Sequence, residues 1–222
     1  VSVKADMKPF YHFLKELTNL APVIMTLGNH DLEEMKPVRN QSKKEDWVEA
    51  YYPEWIQTLK KIPNLYFLDS EGVELDHIYF YGYNPPFTYY KSKDKEEQLR
   101  LFVQDSNEHI PILKKDRYSI LLLHSPINLT RDQYYRSTPI HQFDLILSGH
   151  THNGLMPEWY RGTRGIITPS KGLFPKKVRG KMVKGKTTVI VNSAIIKLSY
   201  SSGFFHYFND LFAMGITVVD LT

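Results

Sequence analysis

Four histidines and one asparagine carry the chemistry that this chain of 222 residues advertises. They fall in three short blocks: Gly28-Asn29-His30-Asp31, His124-Ser125-Pro126 and Gly149-His150-Thr151-His152. Imidazole nitrogens and an amide oxygen are neutral donors suited to divalent Mn, Fe or Zn, and no cysteine is present to offer a thiolate instead. Together they are the raw material of a metal centre. A histidine on its own is more often a hydrogen-bonded loop or edge residue. That plainer reading is kept for His12, His77, His109, His141 and His206, whose sequence surroundings share nothing with the three blocks.

What the four have in common is the element before them. Val23 to Leu27 runs into Gly28, Ser119 to Leu123 into His124, and Phe143 to Ser148 into Gly149. An apolar strand that ends in a short loop delivers polar side chains to the carboxyl edge of a sheet. Ahead of the first block, Met7, Phe10, Tyr11, Leu14, Leu17 and Leu20 recur at helical spacing, with Asp6 as the expected N-cap and Pro9 in the first turn. A polar loop is expected from Leu32 to Gln41, then a helix-prone stretch from Lys43, interrupted at Pro53, where a second helix starts and runs to about Lys61. Leu65 to Leu68 and His77 to Gly82 read as strands around a turn at Asp69 to Gly72. Asn84-Pro85-Pro86 opens a tyrosine-rich loop, and a charged helix spans Ser92 to Gln104 with Leu99, Phe102 and Val103 buried. Strands close the chain at Thr187 to Val191 and Gly215 to Val219. Alternating α and β elements without internal repeats predict an α/β domain with helices outside two stacked sheets.

Composition narrows the class further. At 26.0 kDa the chain can bury one sizeable core. The absence of cysteine removes any disulfide argument and leaves the redox compartment open. No apolar run approaches the ~18 residues that cross a bilayer.

Taken in order, Gly-Asn-His-Asp, His-x-Pro and Gly-His-Thr-His resemble the calcineurin-like metallophosphoesterase superfamily. The block Gly149-His150-Thr151-His152-Asn153-Gly154 is similar to a bacterial subgroup of it, several members of which are membrane-associated or exported. The resemblance implies one metallophosphoesterase domain over residues 1–222, built as a four-layer α/β-β/α sandwich of two mixed sheets flanked by helices. It implies two divalent metal ions, with Asn29, His124 and His150 on one and His152 on the other. His30 would not bind metal; it would face the phosphoryl group and protonate the leaving oxygen, with Asp31 orienting its ring. For Asp31 a plain turn cap is the competing role. The family also carries an Asp-x-His block and a Gly-Asp-x-x-Asp block on earlier strands, and neither occurs here. The expectation is therefore a chain that lacks those first strands, the bridging aspartate falling just ahead of Val1, and that is inactive by itself. A signal or anchor would fall in the same upstream stretch, so localisation stays open.

One charge run lies next to the last block. Arg161, Arg164, Lys171, Lys176, Lys177, Arg179, Lys181, Lys184 and Lys186 follow one another without an acid. Such runs are usually solvated faces; beside a metal loop this one would draw an anionic substrate or an acidic membrane surface. Phe174 is the one aromatic within the run, which makes nucleic acid the weaker partner. The aromatic segment Phe204 to Phe208, followed by Leu211-Phe212, fits core packing or an acyl chain equally well. Two function classes follow. One is a metal-dependent phosphoesterase acting on a phosphodiester, pyrophosphate or phosphomonoester, lipid-linked or nucleotide substrates included. The other is a non-catalytic binding module on the same fold, against which stands the retention of every ligand expected in this span.

Overall fold

The computed structural model describes residues 7–32, 52–114, 116–126, 129, 135–156, 162–168, 172–173, 176–192 and 217–221. Helix α1 (Lys8–Leu20) takes Pro9 in its first turn, where the missing N–H has no intrahelical partner to lose. Its buried face is Leu14 and Thr18, with Phe10 and Tyr11 packing on Val23, Leu59, Ile62 and Leu65. Two expectations change here. The cap position is Met7, which makes no side-chain cap bond, while Asp6 lies outside the described residues. Leu20 is 83% exposed, because the helix ends there and the chain departs through Ala21 and Pro22 into strand β1 (Val23–Thr26).

Strand β1 pairs in parallel with β2 (Leu65–Leu68), Thr26 opposite Leu68, and helix α2 (Glu54–Leu59) covers the crossover. Pro53 precedes α2 as expected, and Ile56 and Leu59 are its buried residues. The expected polar loop begins differently. Residues 29–32 are helical, Leu32 is fully buried, and its N–H bonds the Gly28 carbonyl at 3.0 Å. The remainder of that loop and the helix-prone stretch to residue 51 lie outside the described residues.

The expected turn at Asp69 to Gly72 is not a hairpin turn. Strand β3 (Glu71–Leu75) starts inside it and pairs antiparallel with β4 (Ile78–Tyr83). The turn between them is Asp76-His77, with φ +47° and +66°, the pair of left-handed residues that matches the twist of a two-residue hairpin. Asp69 and Ser70 instead carry the chain from the small sheet to the large one. A short helix α3 (Phe87–Lys91) replaces the expected tyrosine-rich loop, started by Pro85-Pro86. Helix α4 (Lys95–His109) begins later and runs longer than its charge pattern implied, because Asp94 caps it by accepting the Glu96 N–H at 2.8 Å.

Strands β5 (Tyr118–Leu123) and β6 (Leu145–Ser148) follow, then a small hairpin of β7 (Ile167–Thr168) and β8 (Gly172–Leu173), then β9 (Gly180–Lys184) and β10 (Thr187–Val191). The six-stranded sheet has the order β3-β4-β5-β6-β10-β9, its four inner strands parallel and both edge strands antiparallel. Tyr81, Tyr83, Leu121, Leu123, Ile146 and Val189 on one face pack against Phe102, Ile110 and Phe143. The described part of the last expected strand, Thr217 to Val219, pairs with none of the described strands and is extended without a ladder. Among the described residues no helix is long and apolar enough to cross a membrane.

Candidate metal centre

The carboxyl ends of β1, β5 and β6 meet. β1 continues through Leu27 and Gly28 to Asn29, while β5 and β6 are hydrogen-bonded neighbours that end at His124 and Gly149. The Gly149 N–H donates to the His124 carbonyl at 3.0 Å, which holds the two loops together. Gly28 lies close against His124: a Cβ there would stand 3.1 Å from the ring, which would have to shift by a few tenths of an ångström. The result is a tight group of three donors. His124 Nε2 is 3.0 Å from Asn29 Oδ1 and 3.0 Å from His150 Nδ1, and the two rings meet edge-on with centroids 4.8 Å apart.

The protons do not suffice for these contacts as hydrogen bonds. An imidazole nitrogen offers one N–H or one lone pair, so Nε2 cannot serve both neighbours well. Burial, helped by the neighbouring His150 and His152 imidazoles, pushes His124 down to about 3, and burial with His152 and His30 nearby pushes His150 down to about 4. Both rings are therefore neutral at physiological pH, the state a metal ligand needs. Two ligand atoms each about 2.0–2.2 Å from one ion, at right angles, lie about 3 Å apart. The two 3.0 Å separations thus fit a divalent ion, which would take one lone pair from each of Asn29, His124 and His150. Among the described residues there is no cage of three or more His, Cys, Asp or Glu side chains; the group is two imidazoles and an amide.

Strain marks the third loop. His150 has φ +65° and His152 φ +46°, a left-handed conformation that costs a residue with a side chain about 1–2 kcal/mol. Thr151 between them is fully buried and donates its hydroxyl to the Val178 carbonyl, so the loop is pinned from below. His152 Nδ1 is buried with no hydrogen-bond partner among the described residues, and burial followed by the His30 charge lowers the pKa of its ring. His30 is exposed and near enough to be felt by His124, His150 and His152. The Asp31 carboxylate closes its own turn: Oδ2 accepts the Gly28 N–H at 2.8 Å, and the residue is 6% exposed. The turn-cap role is present in that contact.

Two residues at the site gave no sequence signal. Tyr90 on α3 places its ring 5.9 Å from that of His150 and 6.4 Å from that of His124. Its position after Pro85-Pro86 indicated only a loop. Asn84, at the end of β4, is the other. A cleft lined by Tyr118, Leu145, Arg179, Thr188 and Val219 among others runs along β10, from the amino ends of β5 and β6 to Val191 and Asn192. It holds no histidine, so the donor chemistry and not the size of a hollow locates the centre.

The chain matches the family model of calcineurin-like phosphoesterases over residues 5–154, more than half its length. It belongs to that family, whose chemistry is metal-dependent phosphoester hydrolysis, and its two stacked sheets with helices are the metallophosphoesterase fold. No curated relative and no solved structure matches the chain. The family match spans all three blocks, from Asn29 to His152.

Proposed function

We propose that the chain is a metal-dependent phosphoesterase with a two-ion centre. Asn29 Oδ1, His124 Nε2 and His150 Nδ1 would hold one ion, and the approach of His124 Nε2 to within 3.0 Å of each of the other two donors is the observation that carries the reading. His152 would serve the other. Divalent Mn, Fe or Zn supplies a nucleophile at neutral pH and neutralises phosphoryl charge. His30, exposed near the His124, His150 and His152 rings, would contact the phosphoryl group and give a proton to the leaving oxygen. Asp31 would keep His30 in place by fixing the turn from Gly28. The non-catalytic alternative has no observation in its favour, since the three donors stand assembled.

The substrate reading rests on the basic segment. Val178 accepts from Thr151, the Ile166 N–H donates to Gly154 at 2.7 Å, and the Val178 N–H to Thr163 at 2.8 Å, so this segment is built onto the His150–His152 loop. Some of its cations have structural work. Lys186 pairs with Asp144, Lys184 lies over the Tyr135 ring, and Arg179 Nε donates to the Gly162 carbonyl. Arg164, Lys176, Lys177 and Lys181 are exposed, and they would favour a substrate with further negative charge. Arg161 and Lys171 lie outside the described residues.

Titration of the Val1–Thr222 chain with Mn²⁺, followed by elemental analysis, tests the centre. Mn²⁺ uptake that is lost in His150→Ala is the expected result. Uptake indifferent to His150→Ala would overturn the assignment of ligands.

A further inference from the structure

The donor cluster joins two sheets that no described ladder connects. Asn29 follows β1 of the two-stranded sheet, whereas His124 and His150 follow β5 and β6 of the six-stranded one. Their spacing is therefore set by how the sheets dock. At the docking point sits Asn84, 2% exposed, the first residue after β4. Tyr83 lies opposite Leu123 in the parallel β4–β5 pair, so Asn84 falls beside His124. Its side chain reaches across to the other sheet. Oδ1 accepts from the Thr26 hydroxyl at 2.8 Å, and Nδ2 donates to Asp69 Oδ1 at 2.8 Å and more weakly to the Leu68 carbonyl at 3.4 Å. A carboxylate and a carbonyl only accept, so they claim the two Nδ2 hydrogens and leave Oδ1 to Thr26, whose single hydroxyl proton is shared between Asn84 Oδ1 and the Leu68 carbonyl at 3.0 Å.

All three partners lie at the carboxyl edge of the small sheet, and Thr26 ends β1 three residues before Asn29. The network continues outward: Asp69, 1% exposed, accepts the Tyr52 hydroxyl on Oδ2 at 3.0 Å. Gly82 on β4 permits the close approach, since a Cβ there would stand 2.6 Å from Leu68 Cβ and 2.7 Å from the Leu68 carbonyl oxygen. Buried, hydrogen-bonded groups in a close-packed setting fix one geometry firmly.

We propose that Asn84 is a positioning residue for the metal centre. Through Thr26 it sets the separation of Asn29 Oδ1 from His124 Nε2 and thereby the affinity for a divalent ion, a role that rests on the ligand reading above. The test titrates Mn²⁺ into the wild-type chain and into Asn84→Leu, Thr26→Val, Thr26→Ser and His124→Ala, with the metal-free Tm of each measured alongside. Asn84→Leu and Thr26→Val are expected to weaken the Kd about tenfold, within the range for residues that hold a ligand without touching the ion. Thr26→Ser keeps the hydroxyl and should bind as wild type does. A network that only supports the fold would lower the metal-free Tm and leave Kd alone. A Kd within twofold of wild type in folded Thr26→Val and Asn84→Leu, with His124→Ala still abolishing uptake, overturns the positioning role. Should Asn84→Leu not fold, the near-isosteric Thr26→Val decides. Uptake that is absent in wild type or indifferent to His124→Ala overturns the ligand reading and this role together.

Discussion

Two histidine sites in this molecule are built on opposite principles. At the first, His124 and His150 meet each other and the oxygen of Asn29, with no carboxylate among these donors, and burial drives both rings well below the ordinary imidazole range. At the second, His109 at the end of α4 sits with Asp105, which also accepts the buried Tyr83 hydroxyl at 2.6 Å. The His109 ring lies with Nδ1 2.9 Å from the Asp105 carbonyl, and hydrogen bonding to Asp105 raises its pKa despite partial burial. At the second site the Nδ1 proton has acceptors to hand, the Asp105 carbonyl and carboxylate. The first has more lone pairs than protons. His109 thus differs from His124 and His150 in both burial and neighbours: an acidic partner favours its proton, whereas burial beside other imidazoles disfavours theirs.

The sharpest test of that contrast is catalytic. His30→Ala in the active enzyme should lose ~10²–10⁴ in turnover, the usual range for one acid–base group, while elemental analysis finds its metal content unchanged. The loss should shrink on a nitrophenyl ester, whose leaving group needs no proton. Metal loss equal to that of His150→Ala would make His30 a ligand. Next in size is affinity. His124→Ala should weaken Mn²⁺ binding more than the ~10–100-fold typical of a residue that merely supports a ligand. His109→Ala should leave binding within twofold and instead lower the Tm. If both substitutions disturb binding alike, the two sites do not differ in kind.

Stability against pH should carry opposite signs at the two sites. His124 and His150 have folded pKa values below the unfolded one of ~6.5, so the unfolded chain takes up more protons as pH falls. Their contribution is full above that value and is lost as pH drops toward about 4. His109 is raised, so its contribution is full below ~6.5 and is lost as pH climbs through its folded value. Melting curves of the metal-free chain in chelator should therefore show a shallower acid-side decline for His124→Gln and a shallower neutral-side decline for His109→Gln. The smallest effect concerns charge. Replacing Arg164, Lys176 and Lys177 by alanine should raise KM for a polyanionic phosphoester by a few-fold at low salt. The change should fade once the Debye length falls below ~8 Å, and a small ester should scarcely notice. Equal KM changes for both substrates would leave these cations as a solvated face.

The blocks that touch chemistry were legible because each sits directly after an apolar run, and local pattern is enough to place a strand end. Val23 to Leu27, Ser119 to Leu123 and Phe143 to Ser148 all became strands of nearly the expected extent, and the family followed from the order of the blocks. Where pairing decides the element, sequence fell short. Glu71 to Leu75 carries no clear alternation, yet it forms β3 because β4 offers it a ladder, and the turn moved to Asp76-His77 accordingly. Asn84, Asp69 and Tyr90 look like ordinary loop residues in the chain. Only tertiary structure could give them a place at the site. The two sheets that meet there contribute groups far apart in sequence, and no periodicity along one strand records how close another sheet will come. The residue types at Asn29, His124 and His150 determine that neutral oxygen and nitrogen donors are on offer; the docking of the sheets decides that His124 Nε2 stands 3.0 Å from Asn29 Oδ1.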